Sequence, residues 1–153
     1  MQRATRRNIF QLTVLFLAVA AFVSYARTPA VSATHNDAEK PELIVATFSS
    51  AWCTACKILK PRIAKVMPDF DGAPVQFVEL NFTFGERDAV RSIADEHGFT
   101  DAFDRYAGAT GFALLIDHDT GVIIDTLTTA YSADAMRHAV AAATAIAKIT
   151  PTE

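Results

Sequence analysis

Two cysteines, Cys53 and Cys56, are the only ones in the chain. They lie in Ala51-Trp52-Cys53-Thr54-Ala55-Cys56-Lys57, between an apolar run and a helix-patterned run. Sulfurs at this spacing on a strand-to-helix turn can close into a disulfide and reopen with little backbone movement. With no other cysteine present, they pair with each other, hold a metal or react with a partner. A structural zinc site needs four ligands. His35, His97, His118 and His138 are scattered, none at ligand spacing to the others, so no metal site is expected. Two thiolates alone suit soft Cu(I), which stays open as an alternative.

The elements that must position these sulfurs follow from periodicity. Leu43-Ile44-Val45-Ala46-Thr47-Phe48 is a continuous, partly β-branched apolar run, the pattern of a strand buried on both faces. After the cysteines, Ala55, Ile58, Leu59, Ile63, Val66 and Met67 mark one face of a helix, which Pro61 should kink and Pro68 should end. Asp71-Gly72 turns the chain into a second strand, Val75 to Leu80. This strand–helix–strand unit implies a right-handed crossover. A second helix is expected from Glu86 to His97, stopped by Gly98, and Thr100 or Asp101 is expected to cap a short turn through Phe103 and Tyr106. Phe112–Ile116 and Val122–Leu127 read as strands around the hairpin loop Asp117–Gly121. Ser132 is the expected N-cap of a last helix with its stripe at Met136, Ala139, Val140, Ala143, Ile146 and Ala147. The order β-α-β-α-β-β-α fits an α/β fold, a four-stranded mixed sheet with helices on both faces.

A chain of 153 residues, half of them hydrophobic, suits one packed domain. Its net charge of −3 is uneven: Arg3, Arg6, Arg7 and Arg27 lie in the first 33 positions, which hold no acidic residue. Positions 34–153 then carry 10 basic and 17 acidic residues, a net of −7. That balance argues against nucleic acid as a partner, because phosphate binding needs a basic face. The early arginines precede an uncharged, largely apolar run, Ile9 to Ala26, and Val31-Ser32-Ala33 offers the small residues of a cleavage site. Residues 1–33 are therefore a signal peptide or a membrane anchor, since 18 helical residues nearly span the hydrocarbon. Arginines ahead of the run place the N-terminus in the cytoplasm. Either way the rest is expected to be exported: a polar linker at 34–41 and a domain at 42–153. Asn81-Phe82-Thr83 matches a glycosylation sequon, discounted because it follows a strand directly.

Taken together, residues 42–147 resemble a thioredoxin-superfamily domain in its minimal core form. The resemblance rests on Trp52-Cys53-Thr54-Ala55-Cys56-Lys57 after a buried strand, on Pro61 five residues beyond the second cysteine, and on the element order. It implies thiol–disulfide exchange without a cofactor, with Cys53 the nucleophile and Cys56 the resolving thiol. Elementary chemistry agrees. A cysteine at a helix start faces unpaired N–H groups and the positive end of the helix dipole, which favour thiolate. Trp52 is expected to flank the site as a flat apolar contact, or else to fill the core.

Two positions depart from the family. Its buried aspartate, six residues before the first cysteine, is here Thr47, which cannot act as a base. Glu79, on the neighbouring strand, is the candidate substitute if burial raises its pKa, and otherwise points to solvent. The family's cis-proline before the third strand is replaced: aligning Ala113–Ile116 with that strand puts Phe112 in its place, after Gly111. A non-proline cis bond costs about 2.5–4 kcal/mol, so a trans Gly111–Phe112 bond is expected. Gly111 and Phe112 are the expected substrate-facing residues, with backbone offered to a peptide, or with Phe112 shielding the disulfide. The resulting expectation is an exported thiol–disulfide oxidoreductase acting on protein cysteines in the cell envelope, soluble in the periplasm or anchored by residues 9–26, with a possible membrane electron donor. A redox-inert binding module on the same fold is the alternative.

Overall fold

The computed structural model describes residues 40–149. The expected targeting segment at 1–33 and most of the linker lie outside the described residues. The described elements run β1 (Leu43–Ser49), α1 (Thr54–Val66), β2 (Val75–Asn81), α2 (Arg87–Glu96), α3 (Thr100–Tyr106), β3 (Phe112–Asp117), β4 (Ile123–Leu127) and α4 (Ala133–Ala147), with a 3-10 turn at Met67–Phe70. The four strands form one mixed sheet in the order β2-β1-β3-β4. β1 pairs parallel with β2 and antiparallel with β3, and β3 pairs antiparallel with β4.

Central placement explains the composition of β1. All seven of its residues are buried, because neighbours cover both edges and helices cover both faces. Odd and even positions then feed two separate cores, as the two-residue strand period requires. Leu43 and Val45 meet Leu59, Ile63 and Val66 of α1 and Met136, Val140 and Ala143 of α4. Ile44, Ala46 and Phe48 meet Val90 and Ala94 of α2 and Ala102 and Phe103 of α3. The expected mixed sheet with helices on both faces is what these contacts describe.

Helix ends follow local chemistry, with a few shifts from expectation. The Ser132 hydroxyl caps α4 by accepting from the Ala135 N–H at 3.1 Å. Pro61 lies inside α1, which stops at Val66; Pro68 then falls in the first turn of the 3-10 segment rather than marking the helix end directly. Neither Thr100 nor Asp101 caps α3: Phe99 takes that position without a side-chain bond, and the Thr100 hydroxyl donates to Asp95 instead. Asp117, expected in the hairpin loop, ends β3 and is buried. Its carboxylate accepts from the Asp119 and Thr120 N–H groups, each at 3.0 Å, and Gly121 closes the turn at φ +68°.

The larger aromatic residues gather on the α2/α3 side. Phe48 stacks on Phe112 at 4.8 Å between centroids, and Phe82 and Phe103 lie 6.1 and 6.5 Å away. Phe103 is fully buried in this cluster and remote in sequence from the cysteines. Replacing it with alanine removes the ring and leaves a cavity, so Phe103→Ala should cost about 3–5 kcal/mol of stability. Urea denaturation measures this; a midpoint equal to wild type would contradict the packing described.

Candidate functional site

The turn after β1 is held at several points. The Cys53 N–H donates to the Ser50 carbonyl at 3.3 Å, and the Phe82 N–H donates to the Ser49 carbonyl at 2.8 Å. The Ala51 N–H donates to the Thr83 hydroxyl at 2.8 Å, and the Thr83 N–H donates to Asn81 Oδ1 at 3.0 Å. The Thr83 hydroxyl thus ties the β2–α2 loop to the cysteine turn, while the Asn81 side chain braces the loop internally.

Cys53 is the N-cap of α1, in extended backbone at φ −78° and ψ 110°, and its Sγ accepts from the Cys56 N–H at 3.0 Å. It plays the part usually taken by a serine or aspartate oxygen. In the dithiol state the same N–H and the helix dipole meet a thiolate at Cys53. Cys56 is buried, one turn further in, and forms a disulfide with Cys53 across a Cα–Cα distance of 5.2 Å. Its sulfur lies 3.9 Å from the Phe48 carbonyl oxygen, a weak acceptor for the Cys56 S–H once the pair is reduced. The two sulfurs are therefore unequal: Cys53 is half-exposed and faces donors, whereas Cys56 is buried and faces an acceptor.

Opposite the disulfide stands Gly111, not Phe112. Gly111 is buried with φ +100°, and its N–H donates to the Phe48 carbonyl at 2.8 Å. A Cβ there would stand 2.8 Å from Ala55 Cβ and 3.3 Å from Cys53 Sγ. Phe112 is already the first residue of β3, in register with Phe48. Its ring stacks on Phe48 and lies 5.6 Å from Tyr106, directed into the aromatic core. The residue just before the third strand and facing the cysteines is thus one position earlier than the alignment of Phe112 supposed. Among the described residues every peptide bond is trans, Gly111–Phe112 included.

The expectation of a raised pKa at Glu79 is not met. Its side chain is 42 % exposed, and Lys60 Nζ and Ser49 Oγ both donate to Oε1 at 2.6 Å. Partial desolvation pulls its pKa up, but the hydrogen bonds from Lys60 and Ser49 and the Lys60 charge outweigh it, holding the carboxyl below its ordinary value of 4.5. Thr47 sits beside Glu79 in the β1–β2 register, and both line a pocket with Lys60. Lys60 also borders a second cleft of about 420 Å³ lined by Ser49, Cys56, Lys57 and Thr83. Glu79 therefore neighbours the inner cysteine's cleft as an ion-paired carboxylate. Trp52 is 68 % exposed, which removes core filling as its role. Among the described residues no three His, Cys, Asp or Glu side chains gather in one place.

Sequence reading did not single out Ser49, Lys60 or Phe84. Phe84 is 89 % exposed and meets Trp52 edge-on, with centroids 5.7 Å apart. The only advance signal was an aromatic residue in a short loop just before a glycine.

Residues 30–93 match the thioredoxin family model. With this match, which spans less than half of the chain, the sheet order and the Cys53–Cys56 pair define a thioredoxin-like fold. It is similar to a thioredoxin-family thiol:disulfide interchange protein from Chlorobium tepidum TLS, at 17% identity, covering 69% of this chain and 81% of that one with a TM-score of 0.47. StoA from Bacillus subtilis is similar at 17% identity, over 65% of this chain and 82% of its own, with a TM-score of 0.46. Thioredoxin from Fasciola hepatica is similar at 18% identity, over 70% and 85%, with a TM-score of 0.41. A comparison with curated protein sequences found no match. Family and site together support thiol–disulfide oxidoreductase chemistry in general.

Gly111 gives the site its most direct test. Gly111→Ala must place a side chain against Cys53 from a backbone conformation that L-residues rarely adopt. It should destabilise the oxidised protein by about 1–3 kcal/mol and slow exchange at Cys53. Thermal unfolding and disulfide-exchange kinetics measure both; wild-type values in each would remove Gly111 from the site.

Proposed function

We propose that this chain is an exported thiol–disulfide oxidoreductase that exchanges its Cys53–Cys56 disulfide with cysteines of proteins in the cell envelope. The observation that carries the reading is the inequality of the two sulfurs: Cys53 at the helix N-terminus and half-exposed, Cys56 buried beside the Phe48 carbonyl. Support for export comes from the sequence, from the arginines at 3, 6 and 7, the apolar run at 9–26 and Val31-Ser32-Ala33. The periplasm is the assigned compartment, with the domain released by cleavage or held by the N-terminal anchor. An electron donor or acceptor in the membrane would reset the pair between turnovers.

In the reducing direction the Cys53 thiolate attacks one sulfur of a partner's disulfide. A Cys53–partner S–S bond forms, and the partner's other sulfur leaves as thiolate and takes a proton. Cys56 loses its proton and attacks the Cys53 sulfur. The Cys53–Cys56 bond forms, the second partner sulfur departs as thiolate, and the partner gains two electrons that this chain gives up. The oxidising direction is the reverse. Glu79, ion-paired with Lys60 and held below its ordinary pKa, is too weak a base to keep the Cys56 proton, which passes to solvent.

Cys56→Ser removes the resolving thiol, so mixed disulfides at Cys53 should accumulate with envelope proteins and appear on non-reducing gels. A reduction potential far below that of the compartment, with nothing trapped, would instead favour the redox-inert binding module. Because Glu79 is an ion-paired carboxylate and not a base, Glu79→Gln should leave the resolving rate at neutral pH near that of wild type. A several-fold loss, read by stopped-flow resolution of a mixed disulfide, would return Glu79 to the mechanism.

A further inference from the structure

The loop from Asn81 to Glu86 is fixed at several points and yet presents a large ring to solvent. Phe82 packs inward, stacking on Phe48 at 6.1 Å and on Phe103 at 6.0 Å. Its N–H is held by the Ser49 carbonyl, and Thr83 is held by Ala51 and Asn81. Gly85 has no room for a side chain: a Cβ would meet Val90 Cγ2 at 2.8 Å and the Asn81 carbonyl at 3.3 Å. Between these anchors Phe84 points outward, 89 % exposed, with its ring edge-to-face against Trp52. An exposed Trp–Phe pair costs free energy in water that burial against a partner recovers.

Its position determines what can cover it. Trp52 directly precedes Cys53, the half-exposed sulfur that a partner must reach. A polypeptide delivering its sulfur to Cys53 has Gly111 on one side, where no side chain projects. The aromatic pair offers an apolar surface beside the same sulfur. We propose that Phe84, with Trp52, is a specificity-determining surface for protein partners whose reactive cysteine is flanked by a bulky apolar side chain. This rests on the oxidoreductase reading above and deepens it by naming the partner's chemistry. The two rings form a preformed corner, so a neighbouring leucine or phenylalanine of the partner buries against them without reordering the loop. A partner with small polar neighbours gains nothing there.

The test uses the full chain, reduced with dithiothreitol and freed of it, and two peptide disulfides that differ only in the residue beside cysteine, phenylalanine or serine. Wild type should react with the phenylalanine peptide about tenfold faster in the second-order rate. Phe84→Ala should bring that rate down to that of the serine peptide, and Phe84→Leu should restore most of the preference. Equal wild-type rates for both peptides, or an equal slowing of both by Phe84→Ala, would overturn the proposal while leaving the oxidoreductase reading intact. Exchange with neither peptide, from a chain whose two thiols are shown to be free, would overturn both. Self-association of the wild type that Phe84→Ala abolishes would make a second copy the occupant, and would also overturn it.

Discussion

Much of this domain converges on one residue, Phe48, through two different parts of it. Its carbonyl oxygen accepts the Gly111 N–H at 2.8 Å and lies 3.9 Å from the Cys56 sulfur. Its ring sits among Phe82, Phe103, Tyr106 and Phe112. The main chain thereby fixes what stands opposite the disulfide, while the side chain anchors the α2/α3 core. Because β1 is central and buried on both faces, neither part can shift without disturbing a neighbouring strand.

That constraint also explains how unlike surroundings arise at sulfurs so close together. One belongs to the last position before a helix, where N–H groups point outward. The other belongs to the first turn, packed back against the end of β1. Separation of the two cores keeps these requirements apart: α1 and α4 bury aliphatic residues on one face, and the aromatic cluster fills the other. Thr47 stands six residues before Cys53, and the carboxylate in register with it is Glu79 on the adjacent strand. There it is half in solvent and neutralised by Lys60, a different electrostatic arrangement from an unpaired buried acid.

What was legible in the sequence was local. The apolar run of β1, the cysteine spacing, the Met136, Val140 and Ala143 stripe of α4 and the Ser132 cap each depend on residues within a few positions, and each stands where periodicity put it. Ile146 of the expected stripe is exposed. What was not legible depends on register or on distant partners. The choice between Gly111 and Phe112 turned on which residue pairs with Phe48 across the sheet. The state of Glu79 turned on Lys60, 19 residues away and on another element. The exposure of Phe84 beside the half-buried Phe82 follows the outward and inward turns of one short loop, and hydrophobicity alone gives both the same expectation.

The fastening of that loop bears on how such a protein changes over time. Its anchors are the Phe82 ring, the Thr83 hydroxyl, the Asn81 amide oxygen and a glycine without room for a side chain. The ring of Phe84 is not among them. Position 84 can therefore vary with little cost to the fold, and its ring takes no part in the bond changes at sulfur. Variation there can move the domain between clients while the chemistry at Cys53 and Cys56 is inherited unaltered.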